Sequence, residues 1–278
     1  MTSTTPRAAR RAAAFALTAV LALAACGGGS SSGTASGSGS STVKDGRLVG
    51  LFHLTPGTAS GATGVKGTYF RMLQPGAGAH GPYMKNASSP ADGGQATILT
   101  PGTSGGFRTA GYQSRPNPAF ASNGDSLSDA ITTPTPFFAV KFSIATNPVD
   151  PQTKTAVAPP TVVLKGTTLT ADMSSWGVTW NNQDFNQGAP KPVSNSGAKA
   201  PGQETAAKVW DWVAGHYLDA APAATITGKS ATGTYDPKTK AFTLEWTSPI
   251  VGGPFNGFTG FWHLEGTFEP SKAAPDGS

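Results

Sequence analysis

Short apolar–polar alternation with a period of two is the feature that most restricts what this chain can fold into. Phe138, Val140, Phe142 and Ile144 alternate with Ala139, Lys141 and Ser143. Trp176, Val178 and Trp180 alternate with Gly177 and Thr179. Phe242, Leu244 and Trp246 alternate with Thr243 and Glu245, and Trp262, Leu264 and Phe268 share one phase with Gly266 between them. A period of two sends successive side chains to opposite faces, so each stretch reads as a strand with one face buried. Further strands are expected at 46–54, 66–73, 96–100, 107–112, 161–170 and 225–235. Clusters of Gly, Pro, Asn and Asp separate them, as turns require. Asp150-Pro151 and Asp236-Pro237 each open a hairpin loop, because Asp accepts backbone N–H bonds and Pro presets φ.

One segment departs from this pattern. Between Gln203 and Ala220, Val209, Trp210, Val213 and Tyr217 fall at helical spacing among good helix formers, so one helix is expected at 203–220. A Trp210–Trp212 pair would dock it on a sheet. The expected fold is therefore all-β: an antiparallel β-sandwich, or a partly closed barrel, with one inserted α-helix. The lack of βα alternation argues against a nucleotide-binding α/β fold. A hydrophobic content of 37%, with six Trp and 14 Phe, is enough to build a core and excludes wholesale disorder.

The first residues carry an address. A basic start (Arg7, Arg10, Arg11) precedes an apolar run from Ala12 to Ala25 that ends Leu23-Ala24-Ala25-Cys26. This is the layout of a secretory signal peptide, and the run is too short to span a bilayer. The last four residues resemble the bacterial lipobox, which implies acylation of the Cys26 thiol and cleavage before it. Cys26 is the single cysteine, so no internal disulfide is expected. Residues 27–42 are Gly, Ser, Thr and one Ala, a flexible tether whose reach is about 20–25 Å by the square-root rule. The chain divides accordingly into a signal peptide at 1–25, the lipidated Cys26 with its tether at 26–42, and one folded domain at 43–278. The expected location is extracytoplasmic, anchored to the cell membrane through Cys26. Removing the three leader arginines from the formal net charge of +5 leaves +2, which gives no support for a nucleic-acid partner.

Three stretches carry a resemblance: Gly67-Thr68-Tyr69-Phe70-Arg71-Met72, Ser174-Ser175-Trp176-Gly177-Val178-Thr179-Trp180-Asn181 and Trp262-His263-Leu264-Glu265-Gly266-Thr267-Phe268. Together they resemble a loose group of uncharacterised exported bacterial β-proteins with strands of these types in this order. The resemblance implies an extracytoplasmic β-sandwich-like fold and carries no catalytic residue.

Motifs for the common chemistries are missing from the sequence. There is no GxxxxGK[ST], no HExxH and no Gly-x-Ser-x-Gly elbow at a strand–helix turn. The four histidines, His53, His80, His216 and His263, lack the spacing of metal ligands, and neither metal nor cofactor is expected. Three clusters remain. Trp176, Trp180, Asn182 and Asp184 offer aromatic faces beside amides and a carboxylate, which is what carbohydrate binding asks for; the alternative is a self-capping polar loop with both Trp in the core. His263 and Glu265 lie on one face of their strand, and Glu245 lies opposite Phe242, Leu244 and Trp246. If the two strands pair, a histidine and two carboxylates converge, suited to acid/base chemistry or a cation, or forming an ordinary solvated face. Gly252 to Gly260, with Phe255 and Phe258, reads either as a lip over a ligand or as a hairpin covering one end of the core. Arg108 and Arg115 sit near the long connections 73–90 and 114–136 and would suit an anionic ligand. The expected function is a non-enzymatic binding module for a glycan or another envelope component. The alternatives are a glycan-acting enzyme using Glu245 and Glu265, and a structural or protein-interaction module of the envelope.

Overall fold

The longest strand, Thr259–Pro270, organises the molecule. In this computed structural model the described residues are 44–61, 64–192, 208–211, 215–219 and 230–271. The signal peptide, Cys26, the tether and half of 203–220 lie outside them. Thr259–Pro270 pairs antiparallel with Ala241–Pro249 along its length, from Thr259 opposite Pro249 to Thr267 opposite Ala241. Its other side is shared: the first half pairs with Tyr69–Gly78 and the second half with Gly50–Leu54. Beyond Ala241–Pro249 follow Ala231–Tyr235, Thr168–Asp172, Thr161–Lys165 and finally Gly46–Leu48.

Gly46–Leu48 and Gly50–Leu54 are separated only by Val49, yet they pair with opposite sides of this sheet. A flat sheet cannot satisfy both pairings. The antiparallel sheet curls into a half-barrel, which brings its far strands to one continuous segment. The strands alternate as expected: Trp262, Leu264 and Phe268 are buried, as are Phe242, Leu244 and Trp246. Phe52 sits at the centre, stacked on Phe107 at 4.8 Å and edge-on to Phe242 at 5.0 Å. Gly266 is required where two strands meet closely, since a Cβ there would lie 1.7 Å from the His53 carbonyl oxygen.

A second sheet runs in the order Gln183–Asn186, Trp176–Trp180, Val140–Thr146, Thr135–Phe137. Its rings pack against the half-barrel in one continuous core: Trp176 meets Trp246 edge-on at 5.4 Å and Trp262 at 5.8 Å. The opposite face is also covered. The 114–134 connection lies over it, with Ser126 hydrogen-bonded to Thr179 and Thr132 to Ser143. This is why Ser143 and Thr179, on the polar phase of their strands, are buried.

Two expectations are corrected here. Phe138 does not belong to the alternating strand. Phe138 and Ala139 form the two-residue turn between Phe137 and Val140, both with positive φ, and the Phe138 ring is partly exposed. The helix expected at 203–220 is not shown: Lys208–Asp211 and His216–Asp219 pair as an antiparallel hairpin, with Gly215 at φ +69 between them. Val, Trp and Tyr at 209, 210 and 217 favour strand as readily as helix, so a short window with few apolar residues satisfied both periods.

Candidate functional site

The Gln183–Asn186 strand follows Trp176–Trp180 through a two-residue turn, Asn181-Asn182, with φ +50 and +58. This is the twist-matched hairpin geometry that needs positive φ at both positions, which Asn tolerates better than most residues. The turn puts Asn182 in solvent and Asp184 two residues further along, on the same side of the strand. Both residues line an open groove of about 850 Å³. The 114–120 segment forms one wall and the 147–151 turn the other, presenting Phe120 and Pro148 among their apolar surface.

The groove is polar at its base. Arg115 Nη1 donates to Asp184 Oδ2 at 2.5 Å; the arginine side chain is 32% exposed and the aspartate 3%. Asn147 Oδ1 accepts from the Arg115 backbone at 3.1 Å and so fixes the wall that carries the guanidinium. Asp184 Oδ1 is buried without a hydrogen-bond partner. Burial raises the Asp184 carboxyl above the usual carboxylate range, and Arg115 pulls it part of the way back. The site therefore presents a part-exposed guanidinium held by a buried carboxyl, with two amides beside it, between largely apolar walls. Such a set can bind hydroxyls and amides from several directions at once.

Behind this groove lies a residue that sequence reasoning missed. Lys191 is only 3% exposed. Its Nζ donates to the Asn186 carbonyl oxygen at 2.5 Å and also to Asn186 Oδ1. Asn186 Nδ2 donates in turn to Asp150 Oδ1 at 3.1 Å. Asp150 Oδ1 also accepts from the backbone of Gln152 and Thr153, as the Asp-Pro turn chemistry requires, and Asp150 lines the groove. Burial lowers the Lys191 amine from its ordinary 10.5 to about 7, with Asp150 acting in the opposite direction.

Of the four residues expected to bind ligand, Asn182 and Asp184 line the groove and Trp176 and Trp180 do not. Both rings are in the core, and Trp180 Nε1 donates to the Phe137 carbonyl oxygen at 2.9 Å. The shared phase of Trp176, Val178 and Trp180 was the sequence signal for this burial. Arg115 joins the site; Arg108 lies on the half-barrel and does not line the groove.

The second cluster forms as the register predicts. Glu245 pairs opposite His263, and Glu245 Oε1 lies 2.6 Å from His263 Nδ1. Glu265 Oε2 lies 3.7 Å from His263 Nε2 and accepts from the Gly67 backbone at 3.2 Å. The imidazole thus stands between the two carboxylates, stacked on Tyr69 at 4.7 Å. The carboxylates themselves are 50% and 45% exposed on the outer face of the sheet. Among the described residues no group of three or more His, Cys, Asp and Glu is placed to hold a metal ion.

The Gly252–Gly260 segment covers one end of the core. Phe255 sits in a short 3-10 turn, Gly253–Phe255, and its ring packs on Trp180 at 5.3 Å and Phe137 at 5.5 Å. No family model, no curated protein and no solved structure matches this chain.

Proposed function

We propose that this chain is a lipid-anchored, extracytoplasmic binding module that holds an envelope glycan in the groove over Asp184, without chemically altering it. The observation that carries the reading is the Arg115–Asp184 pair lining an open groove of about 850 Å³, with Asn182 and Asn147 beside it. Sugar hydroxyls act as donor and acceptor together, and a guanidinium and two amides provide both kinds of partner. Phe120 and Pro148 supply apolar surface for the C–H faces of a sugar ring. Acylation of Cys26 and the Gly/Ser tether would hold the domain just outside the membrane, within reach of wall and capsular polymers.

The enzyme alternative meets a geometric difficulty. Paired carboxylates in glycosidases flank the scissile bond roughly 5–9.5 Å apart. Here a histidine ring occupies the space between Glu245 and Glu265, and both carboxylates lie on an open sheet face.

Affinity gel electrophoresis of the full chain tests the proposal, with wall and capsular polysaccharides cast in the gel. Retardation by one polymer, lost in Arg115→Ala and Asn182→Ala, is the expected result. Equal mobility in every gel, or retardation that survives both substitutions, overturns it.

A further inference from the structure

The groove over Asp184 sorts its charges by depth. Four ionisable side chains line it: Arg115, Lys154, Asp150 and Asp184. Both acids are buried, Asp150 at 3% exposure and Asp184 at 2%. Lys154 is exposed, and the Arg115 side chain is 32% exposed. A ligand entering from solvent therefore meets two cations before it meets either carboxylate.

The acids are also engaged from within. Asp150 Oδ1 accepts from the backbone N–H groups of Gln152 and Thr153, from the Thr153 hydroxyl and from Asn186 Nδ2. Asp184 Oδ2 accepts from Arg115, and its Oδ1 is shut away from solvent.

Arg115 has capacity left. A guanidinium carries five N–H groups in a fixed fork. One of them, on Nη1, donates to Asp184 Oδ2, and the other four have no side-chain or backbone acceptor among the described residues. Such a fork matches a carboxylate or phosphate two bonds at a time, and bonds of this charge-assisted kind are roughly twice as strong as those to a neutral hydroxyl. Lys154 acts in the same region: its charge, with that of Arg115, opposes the upward push of burial on the Asp184 carboxyl. That push has a consequence for a second anion. Held above the usual carboxylate range, Asp184 takes up a proton more readily than an exposed acid when another anion shares its guanidinium.

We propose that the glycan taken by this groove is acidic, a polymer whose sugars carry carboxylate or phosphate groups, with Arg115 as the anion-binding residue and Lys154 as a second cation at the mouth. The proposal rests on the glycan reading of the groove and adds the charge class of the ligand.

The test compares matched pairs of polymers in affinity gels with the full chain. One pair is polygalacturonate and its carboxyl-reduced form, which share a backbone and differ in charge. The other is dextran phosphate and plain dextran. The chain has a formal net charge of +5, so any polyanion attracts it to some degree. Lys165→Gln therefore serves as a charge-matched control, because Lys165 is exposed at the end of Thr161–Lys165 and does not line the groove. At least one acidic polymer should retard the native chain severalfold more than its neutral counterpart, and which pair responds separates carboxylate from phosphate. Arg115→Gln should weaken that retardation at least fivefold and Lys154→Gln at least twofold, each with cooperative melting retained, while Lys165→Gln leaves it nearly unchanged. Lys154→Gln changes an exposed side chain, so it keeps the test open if Arg115→Gln fails to fold. Retardation no greater for either acidic polymer than for its neutral counterpart overturns the proposal, as does a loss in Lys165→Gln equal to that in Lys154→Gln. Retardation by a neutral polymer that needs Arg115 and Asn182 refutes the acidic class and leaves the glycan reading of the groove intact.

Discussion

Replacing Lys191 with Met should abolish a specific pH dependence of stability. The native amine is buried against Asn186, and its proton affinity is lowered from 10.5 to about 7. In the unfolded chain the same amine regains its ordinary value. Between these two values the unfolded state holds a proton that the folded state has released. Stability must therefore rise with pH above about 7, and the contribution is lowest below it. The limiting slope is about 1.4 kcal/mol per pH unit. Allowing for half-titration near the lower end, the gain between about pH 7 and about pH 9 is about 2 kcal/mol. For a domain of this size that is a rise of roughly 4–8 °C in melting temperature. Urea unfolding at closely spaced pH values reads it directly. Lys191→Met loses the hydrogen bonds to Asn186 and starts less stable, yet its curve should be flat across the window. A Lys191→Met variant that keeps the native gain, or a native protein with no gain, refutes the reasoning.

Three further outcomes follow from the geometry. Gly266→Ala places a Cβ 1.7 Å from the His53 carbonyl and should cost more than about 2 kcal/mol by urea unfolding, whereas Gly111→Ala, with nothing within 4 Å, should stay within about 0.5 kcal/mol. Asp184→Asn keeps the shape of the groove base but removes the charge facing Arg115, so thermal unfolding should show a smaller loss for it than for Asp184→Ala, which also empties the space. The double variant Glu245→Gln/Glu265→Gln removes charge from an exposed face, so it should shift stability by less than about 1 kcal/mol and leave polysaccharide retardation unchanged.

The strand system was legible because period-two alternation is a local signal. Trp262, Leu264 and Phe268 share a phase, and all are buried; the same alternation put Glu245, His263 and Glu265 together once their strands paired. What failed was local evidence that fits two answers. Val209, Trp210 and Tyr217 suit a helix or a strand, and the described residues there form a hairpin. Phe138 fits the alternation by type, yet it occupies a turn.

Other features needed tertiary information that spacing does not hold. The groove brings Arg115 to Asp184 from a distant segment, through the 114–134 connection folding over the second sheet, where Asn147 follows the Val140–Thr146 strand. The same covering buries Ser143 and Thr179, where alternation alone points polar side chains at water. Lys191 carried no signal because a lysine is ordinarily exposed. Its burial depends on Asn186 and Asp150 together.

The central claim concerns where the glycan sits, and hydrogen exchange tests it most directly. Amide exchange of the full chain is followed by mass spectrometry with and without the polysaccharide that retards it. The account predicts added protection in peptides covering 114–120, 147–151 and 181–184, with none over Glu245, His263 and Glu265. Protection confined to the outer face of the half-barrel, or spread evenly with no change at Arg115 and Asn182, would contradict it.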